Sequence, residues 1–195
     1  MSVETVTTFF ALLAVLGIFF LVAVACSAIF ASARGGLPAS LQAYRDSLGS
    51  TGLILGFAVA LTCMLGSLYL SEVAKFPPCE LCWFQRIAMY PLVVIMGVAA
   101  LRRDHKVAIY SVPLTVIGLG ISTYHYLVER FPDNVGYACN TDVPCSTVWV
   151  WKFHFLSIPA MAGIGFMLVG TFSMLAMSVA KTSSSKISLK EQDSE

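Results

Sequence analysis

The chain has 195 residues, 57% of them hydrophobic and only 12% charged, with a mean hydropathy of +0.80 and a formal net charge of +1. A soluble domain carries about 25% charged residues, so this chain cannot clothe a water-facing surface, and the bilayer is its main solvent. A near-neutral balance with no basic patch or stripe excludes a phosphate-backbone partner, and no nucleic acid is expected.

Five apolar stretches reach the roughly 20 residues that a helix needs to cross a hydrocarbon core: 9–31, 51–71, 83–101, 107–128 and 156–180. The first carries no charge. Ala31-Ser32-Ala33 at its end resembles a cleavage site, but the apolar run is too long and no basic residue precedes Phe9, so a retained span is expected. The second stretch is also uncharged. The third opens directly after Cys79-Glu80-Leu81-Cys82 and carries Arg86, and the fourth carries His125 near its end. A polar loop with Cys139 and Cys145 leads into the uncharged fifth stretch. The Ser/Lys/Glu-rich segment from Lys181 to Glu195 reads as a disordered tail. Backbone groups in lipid must be paired within their own segment, so all five stretches are read as helices and the fold class as all-α integral membrane.

Lys and Arg set the expected orientation. With the N-terminus outside, the inner segments hold Arg34, Arg45, Arg102, Arg103, Lys106, Lys181, Lys186 and Lys190, eight of the twelve basic residues. Lys75, Arg86, Arg130 and Lys152 remain on the outer side. This bias favours N-out and C-in, with both cysteine loops outside the cytoplasm.

The six cysteines divide into two groups. Cys26 and Cys63 lie inside apolar spans and read as small buried hydrophobes. The other four fall in the two outer loops, on the oxidising side, where disulfides are expected. Two static staples are one reading of them, and a four-cysteine zinc site is another. Against a staple, a CxxC disulfide closes a very small loop and so removes little unfolded-state entropy. Cys82 also stands at a helix start, where free N–H groups and the helix dipole favour a thiolate. Arg86 lies one turn further on the same face and calls for a partner in lipid, either a thiolate or the oxygen of a reducible ligand. Glu80, between the cysteines, opposes a strongly depressed thiolate at Cys79. Cys139 and Cys145 follow the loop residues Asp133-Asn134-Val135-Gly136 and are expected to be solvent-facing and mobile. His125, near the level of Arg86, is a candidate hydrogen-bond donor to a bound ligand, or else an interfacial histidine held by backbone or water. Trp149, Trp151, Phe153 and Phe155 read as an interfacial aromatic belt around His154. Gly118-x-Gly120 and Gly163-x-Gly165 read as sites of close helix packing.

The run Phe76-Pro77-Pro78-Cys79-Glu80-Leu81-Cys82-Trp83-Phe84-Gln85-Arg86-Ile87-Ala88-Met89-Tyr90-Pro91 resembles the DsbB family of disulfide bond formation proteins, particularly its BdbC-like branch. Tyr124-His125-Tyr126, the pair Cys139 and Cys145, Trp151-Lys152-Phe153 and Leu156-Ser157-Ile158-Pro159 extend the likeness over about residues 51–180. Vitamin K epoxide reductase-like proteins share the chemistry, but there the loop cysteines precede the CxxC. The resemblance implies a DsbB-type four-helix bundle over 51–180, an extra N-terminal transmembrane helix and linker over 1–50, and the tail over 181–195.

What the resemblance implies for function is a thiol:quinone oxidoreductase in a bacterial plasma membrane, with catalytic Cys79, Cys82, Cys139 and Cys145. A quinone, ubiquinone or menaquinone, would sit near Cys82 with Arg86 and His125. A DsbA-like thioredoxin-fold protein would deliver electrons, with attack at Cys139, exchange between Cys145 and Cys79, and discharge from Cys82 into the membrane quinone pool. The relay from DsbA through DsbB to quinone is known to keep bacterial periplasms oxidising, and the resemblance alone carries it to this chain. A DsbA-type acceptor near −120 mV needs an oxidant more positive still, which a quinone supplies more readily than a protein disulfide. Two features depart from the pattern. The first span is additional, and Cys139 and Cys145 are closer in sequence than in the proteobacterial branch, which leaves the order of attack on them open.

Overall fold

The computed structural model describes residues 2–36, 38–133, 139 and 143–192, with the side chains of 39–41, 44 and 179–192 excepted. Among the described residues five α-helices carry the chain: α1 Val3–Arg34, α2 Ala39–Leu68, α3 Glu80–Arg102, α4 Ala108–Arg130 and α5 Ile158–Gln192. All five are long and apolar enough to cross a membrane. Even the shortest, at 23 residues, extends about 35 Å at 1.5 Å per residue, more than the hydrocarbon core of about 30 Å. The fold is the expected one, a four-helix bundle, α2–α5, joined by an additional N-terminal helix.

The helices outrun the apolar stretches. α1 begins at Val3 because Ser2 caps it, accepting a hydrogen bond from the Thr5 N–H at 3.2 Å. It ends where Gly35 takes the left-handed conformation (φ 70°). α2 starts at Ala39, so most of the stretch between the first two spans is its opening turns rather than a linker. α5 continues to Gln192, well into the segment whose composition reads as disordered. No Gly or Pro interrupts 171–192, and extending an existing helix is far easier than nucleating one.

The core packs α2, α3 and α5 around Leu53, Leu92, Met96, Phe166 and Val169. Close approach is possible where a side chain would intrude: a Cβ on Gly118 would strike the Phe166 ring, and one on Gly165 would lie 2.6 Å from Cys63 Sγ. Gly120 faces open space and Gly163 makes only ordinary contact, so one glycine of each pair serves the packing. α1 lies against α5, burying Ala11 and Ala14 beside Ile164 and Leu156. Its first turn sits at the cysteine end of the bundle, where Glu4 reaches Lys152 at 3.6 Å.

α2 does not end cleanly. It passes into a π-helical turn, Tyr69–Val73, then Lys75 at φ 59° and the extended Phe76-Pro77-Pro78. A residue before proline is driven out of the α region, and the two prolines deliver the chain to Cys79 in extended form. At the same end, Lys152 and Leu156 pair across a tight turn, with N–H to C=O distances of 2.8 Å each way and Phe153 and His154 at positive φ. This turn folds the aromatic segment over the bundle: Trp149 stacks on Phe76 at 5.1 Å, and Arg130 lies 5.4 Å from the Trp151 ring centre.

Candidate functional site

Cys79 is the N-cap of α3, and its sulfur accepts a hydrogen bond from the Cys82 N–H at 3.4 Å. The free N–H groups of the helix start therefore act on Cys79, not on Cys82 as the position of Cys82 suggested. The two sulfurs are 2.9 Å apart and share a proton. That hydrogen bond from Cys82 is the largest influence holding the Cys79 thiol well below the ordinary range. His125 and the Cys82 N–H act in the same direction, while burial opposes them. Glu80 does not figure among these influences.

His125, 2% exposed, reaches the same cluster from α4. Its Nε2 lies 3.2 Å from the Cys145 carbonyl oxygen and 3.6 Å from Cys79 Sγ, and its Nδ1 lies 3.1 Å from Gln85 Nε2. A carbonyl can only accept, so Nε2 carries the proton; in the neutral ring Nδ1 then accepts from the Gln85 amide. The ring is thus fixed in one tautomer between the two cysteine pairs.

Cys139 and Cys145 form a disulfide with Cα atoms 6.1 Å apart. Cys145 is fully buried and packs with Cys79 and Val128, while Cys139 and Cys82 border that group. The expectation of a solvent-facing, mobile pair is corrected here: Cys139 is half-buried and Cys145 has no exposure at all. Asn134, Val135 and Gly136, together with Asn140, Thr141 and Asp142, lie outside the described residues.

Arg86 lies on a different face of α3. Its Nε donates to Ser67 Oγ at 2.9 Å and its Nη2 to the Ser67 carbonyl at 3.1 Å, while its guanidinium stands 5.1 Å from the Trp83 ring centre. Tyr90 also donates to Ser67 Oγ, at 3.5 Å. An arginine at a helix centre costs about 2.5–3.5 kcal/mol on insertion scales. Two hydrogen bonds from a charged group contribute about 1.5–3 kcal/mol each, enough to offset it. The charge therefore has its partner in α2 and needs no thiolate.

Arg86 lines a cavity of about 670 Å³ together with Cys82, Gln85, Ser67, Tyr90 and Trp149. Neither Cys79 nor His125 is among its lining residues; His125 stands at the cysteine junction, held by the Cys145 carbonyl as the second of its two readings has it. Cys63, expected to be inert filler, does line the cavity, and Cys26 is exposed on the outer face of α1 rather than buried.

Cys79, Cys82 and His125 also have their ligand atoms within 4.8 Å of one another. Tetrahedral zinc with bonds of about 2.3 Å holds two thiolates about 3.8 Å apart. A separation of 2.9 Å is much closer to a redox dithiol than to that geometry. With Cys139 and Cys145 bonded to each other, four thiolates are not available to one ion.

Known proteins bear on what such a cluster is for. The family model described as Disulfide bond formation protein DsbB matches residues 50–176. The chain belongs to the DsbB family. Disulfide bond formation protein C of Bacillus subtilis is 48% identical over 124 residues, 63% of this chain and 90% of its own length. The probable disulfide formation protein of Oceanobacillus iheyensis is 46% identical over 127 residues, 64% of this chain and 88% of its own. The probable disulfide formation protein C of Halalkalibacterium halodurans is 44% identical over 126 residues, 63% of this chain and 91% of its own. No solved structure matches the chain at a significant level. This DsbB-family chain is thus a multi-pass membrane protein of disulfide bond formation. The family match runs from within α2 to within α5 and leaves α1 outside it.

Several functional positions were not singled out from sequence. Gln85 was the one with a signal, a polar amide at a position that proves 6% exposed inside a span, where such groups are costly. Ser67 offered none, because a serine in a membrane helix ordinarily bonds its own backbone. Phe76, beside Trp149 over the cavity mouth, was read only as part of the motif.

Proposed function

We propose that the protein is a thiol:quinone oxidoreductase that reoxidises a DsbA-like thioredoxin-fold partner outside the cytoplasm and passes the electrons to a membrane quinone. The observation that carries this reading is the division of labour within the CxxC pair. Cys79 packs against the loop disulfide through His125, whereas Cys82 lines the cavity that holds Arg86. Thiols enter on one side of the pair and an acceptor is served on the other.

The steps balance as follows. A partner thiolate attacks Cys139, the more exposed sulfur of the loop disulfide, and forms a mixed disulfide while Cys145 leaves as thiolate. The partner's second thiol resolves it, so the partner is oxidised and the loop pair reduced. Cys145 then attacks Cys79 of an oxidised Cys79–Cys82 pair, and Cys139 closes the loop disulfide again. This leaves Cys79 and Cys82 as the dithiol, the pairing seen in the structure. Low thiol basicity makes Cys79 a good leaving group in that exchange. His125 Nε2–H, aimed at Cys79 Sγ, stabilises the thiolate as it departs.

The cavity suits the acceptor: apolar walls, one cation fixed by Ser67, and the Gln85 amide beside Cys82. A quinone held there would take up the two electrons and two protons released as Cys79 and Cys82 become a disulfide. Arg86 and Gln85 would orient its oxygens, and Phe76 stacked on Trp149 would limit water. As a staple, a disulfide closing seven residues is worth only about 2 kcal/mol on the chain-entropy account. That is little reason for two of them packed together.

The test is quinone reduction by the purified protein, supplied with a reduced thioredoxin-fold donor. Turnover in wild type, absent in Cys82→Ser and impaired in Arg86→Ala, is expected. No turnover with several quinones and donors, in protein shown to be folded, would leave the disulfides as static staples of a membrane scaffold.

A further inference from the structure

α1 lies outside the family match, and relatives matched over 88–91% of their own lengths have no room beyond the match for a helix of its 32 residues. Its position is nonetheless specific. It packs on α5, where a Cβ on Gly17 would come within 2.8 Å of Leu168 and 3.2 Å of Ile164. Towards α2 it stands off, touching through the Phe10 ring, which covers Gly66 so closely that a Cβ there would lie 2.9 Å away. Gly66 immediately precedes Ser67, the residue that holds Arg86.

The space left between α1 and α2 is the cavity itself. Its walls come from α1, α2, α3 and α5, and α4 contributes none of the lining. Along α2 and the π-helical turn that follows it the lining runs from Leu48 to Ser71, about 35 Å at 1.5 Å per residue. Along α1 it runs from Thr7 to Phe20, about 20 Å. One end is polar, with Arg86, Gln85, Ser67 and Cys82 beneath the stacked Phe76 and Trp149. The rest is apolar down to Phe20, which stacks on Phe172 at 5.1 Å.

We propose that α1 is the outer wall of a slot that binds the isoprenoid tail of the membrane quinone, so that this chain selects long-tailed quinones. The inference rests on the quinone reading above. A cavity this long is too large for a ring alone, and its apolar length matches a linear hydrocarbon chain attached to a small polar head. A phospholipid also offers a long chain, but its headgroup keeps to water, whereas the polar end here is roofed by aromatic rings and carries one cation.

The test uses the full chain in lipid nanodiscs and a quinone bearing a photoreactive diazirine at the far end of a long tail. Labelled peptides are mapped by mass spectrometry, with and without excess unlabelled long-tailed quinone. The expected result is competed labelling within residues 7–20. Labelling confined to α2, α3 or α5, or α1 labelling that quinone does not compete, would overturn the proposal. So would a phospholipid that native mass spectrometry finds retained through quinone addition.

A second measurement compares equilibrium binding of a long-tailed and a tailless quinone to wild type and to Ala14→Phe, which fills the slot. The ratio of the two affinities is expected to fall about tenfold, and an unchanged ratio in folded protein would count against the slot. If neither the long-tailed nor the tailless quinone binds or is reduced, the quinone reading itself fails. If the ring binds and turns over but the tail leaves α1 untouched, only the slot fails.

Discussion

Gln85 and Arg86 are neighbours in sequence and both border the cavity, yet their hydrogen bonds run to different helices. One turns to α4 and holds His125 against the loop disulfide; the other turns to α2, where Ser67 fixes its charge at the cavity wall. Successive helical positions are about 100° apart, so a single helix can separate a thiol compartment from an acceptor compartment. Cys79 and Cys82 divide in the same way, the first in the cysteine cluster and the second on the cavity. The comparison teaches that the CxxC stands between the cysteine cluster and the cavity, and on the proposed function each sulfur serves one side.

The strongest way to break that comparison is at the cysteines. Cys82→Ser is expected to abolish quinone reduction, yet still to allow exchange between Cys79 and the loop pair, seen as trapped disulfide on non-reducing peptide maps. Cys79→Ser is expected to block the exchange itself. Equal loss of both steps in both variants would deny the partition.

Next in size is Arg86→Ala. Removing a donor aimed at developing oxyanion charge costs about 10²–10³-fold, and a loss towards the lower end is expected in quinone reduction, with loop-to-helix exchange unchanged.

His125→Ala sharpens the other side. The Cys79 thiol is held low in wild type, so its thiolate persists as pH falls below the ordinary thiol value of about 8.5. Without His125 the titration moves upward, although Cys82 still holds part of the shift. A rise of one unit cuts the thiolate present at a lower pH about tenfold. With the wild-type thiol held at about 4, alkylation of the Cys79 peptide in reduced protein is expected to slow about fivefold at pH 4, with little difference from wild type at pH 7. A variant that slows equally at both values would mean that His125 acts only by packing.

The smallest effect is at Ser67→Ala. It deletes the Arg86 Nε acceptor and leaves the Ser67 carbonyl. Such a bond from a charged group is worth about 1.5–3 kcal/mol, but the carbonyl still holds the guanidinium in place, so KM for quinone is expected to rise only about threefold with the cysteine exchange untouched.

The five spans, the CxxC at a helix start and Arg86 one turn later were legible because hydropathy, cysteine spacing and helical period are local properties. The placement of His125 was not. Its height along α4 could be read, but its facing could not, because in a membrane bundle the lipid-facing side is as apolar as the packed side. The same ambiguity hid the inward edge of α1, where Thr7, Ala11, Ala14 and Gly17 are buried while Leu12, Leu16 and Phe19 are exposed. The burial of Cys145 depends on its loop folding back on Cys79 and Val128, a contact between segments far apart in the chain. The length of α5 was missed for a different reason: composition reports on solvation, and a solvated Lys/Glu/Ser segment can extend a helix that is already formed.

The central claim is that Cys145 and Cys79 meet across His125 to pass a disulfide from loop to helix. The most direct measurement is a peptide map of the double variant Cys82→Ser, Cys139→Ser, purified without reductant. The account predicts that mild oxidation with diamide, which takes up the two electrons and two protons, closes a Cys79–Cys145 disulfide in most of the protein without added partner. Free thiols at both positions in folded, membrane-inserted protein would contradict it.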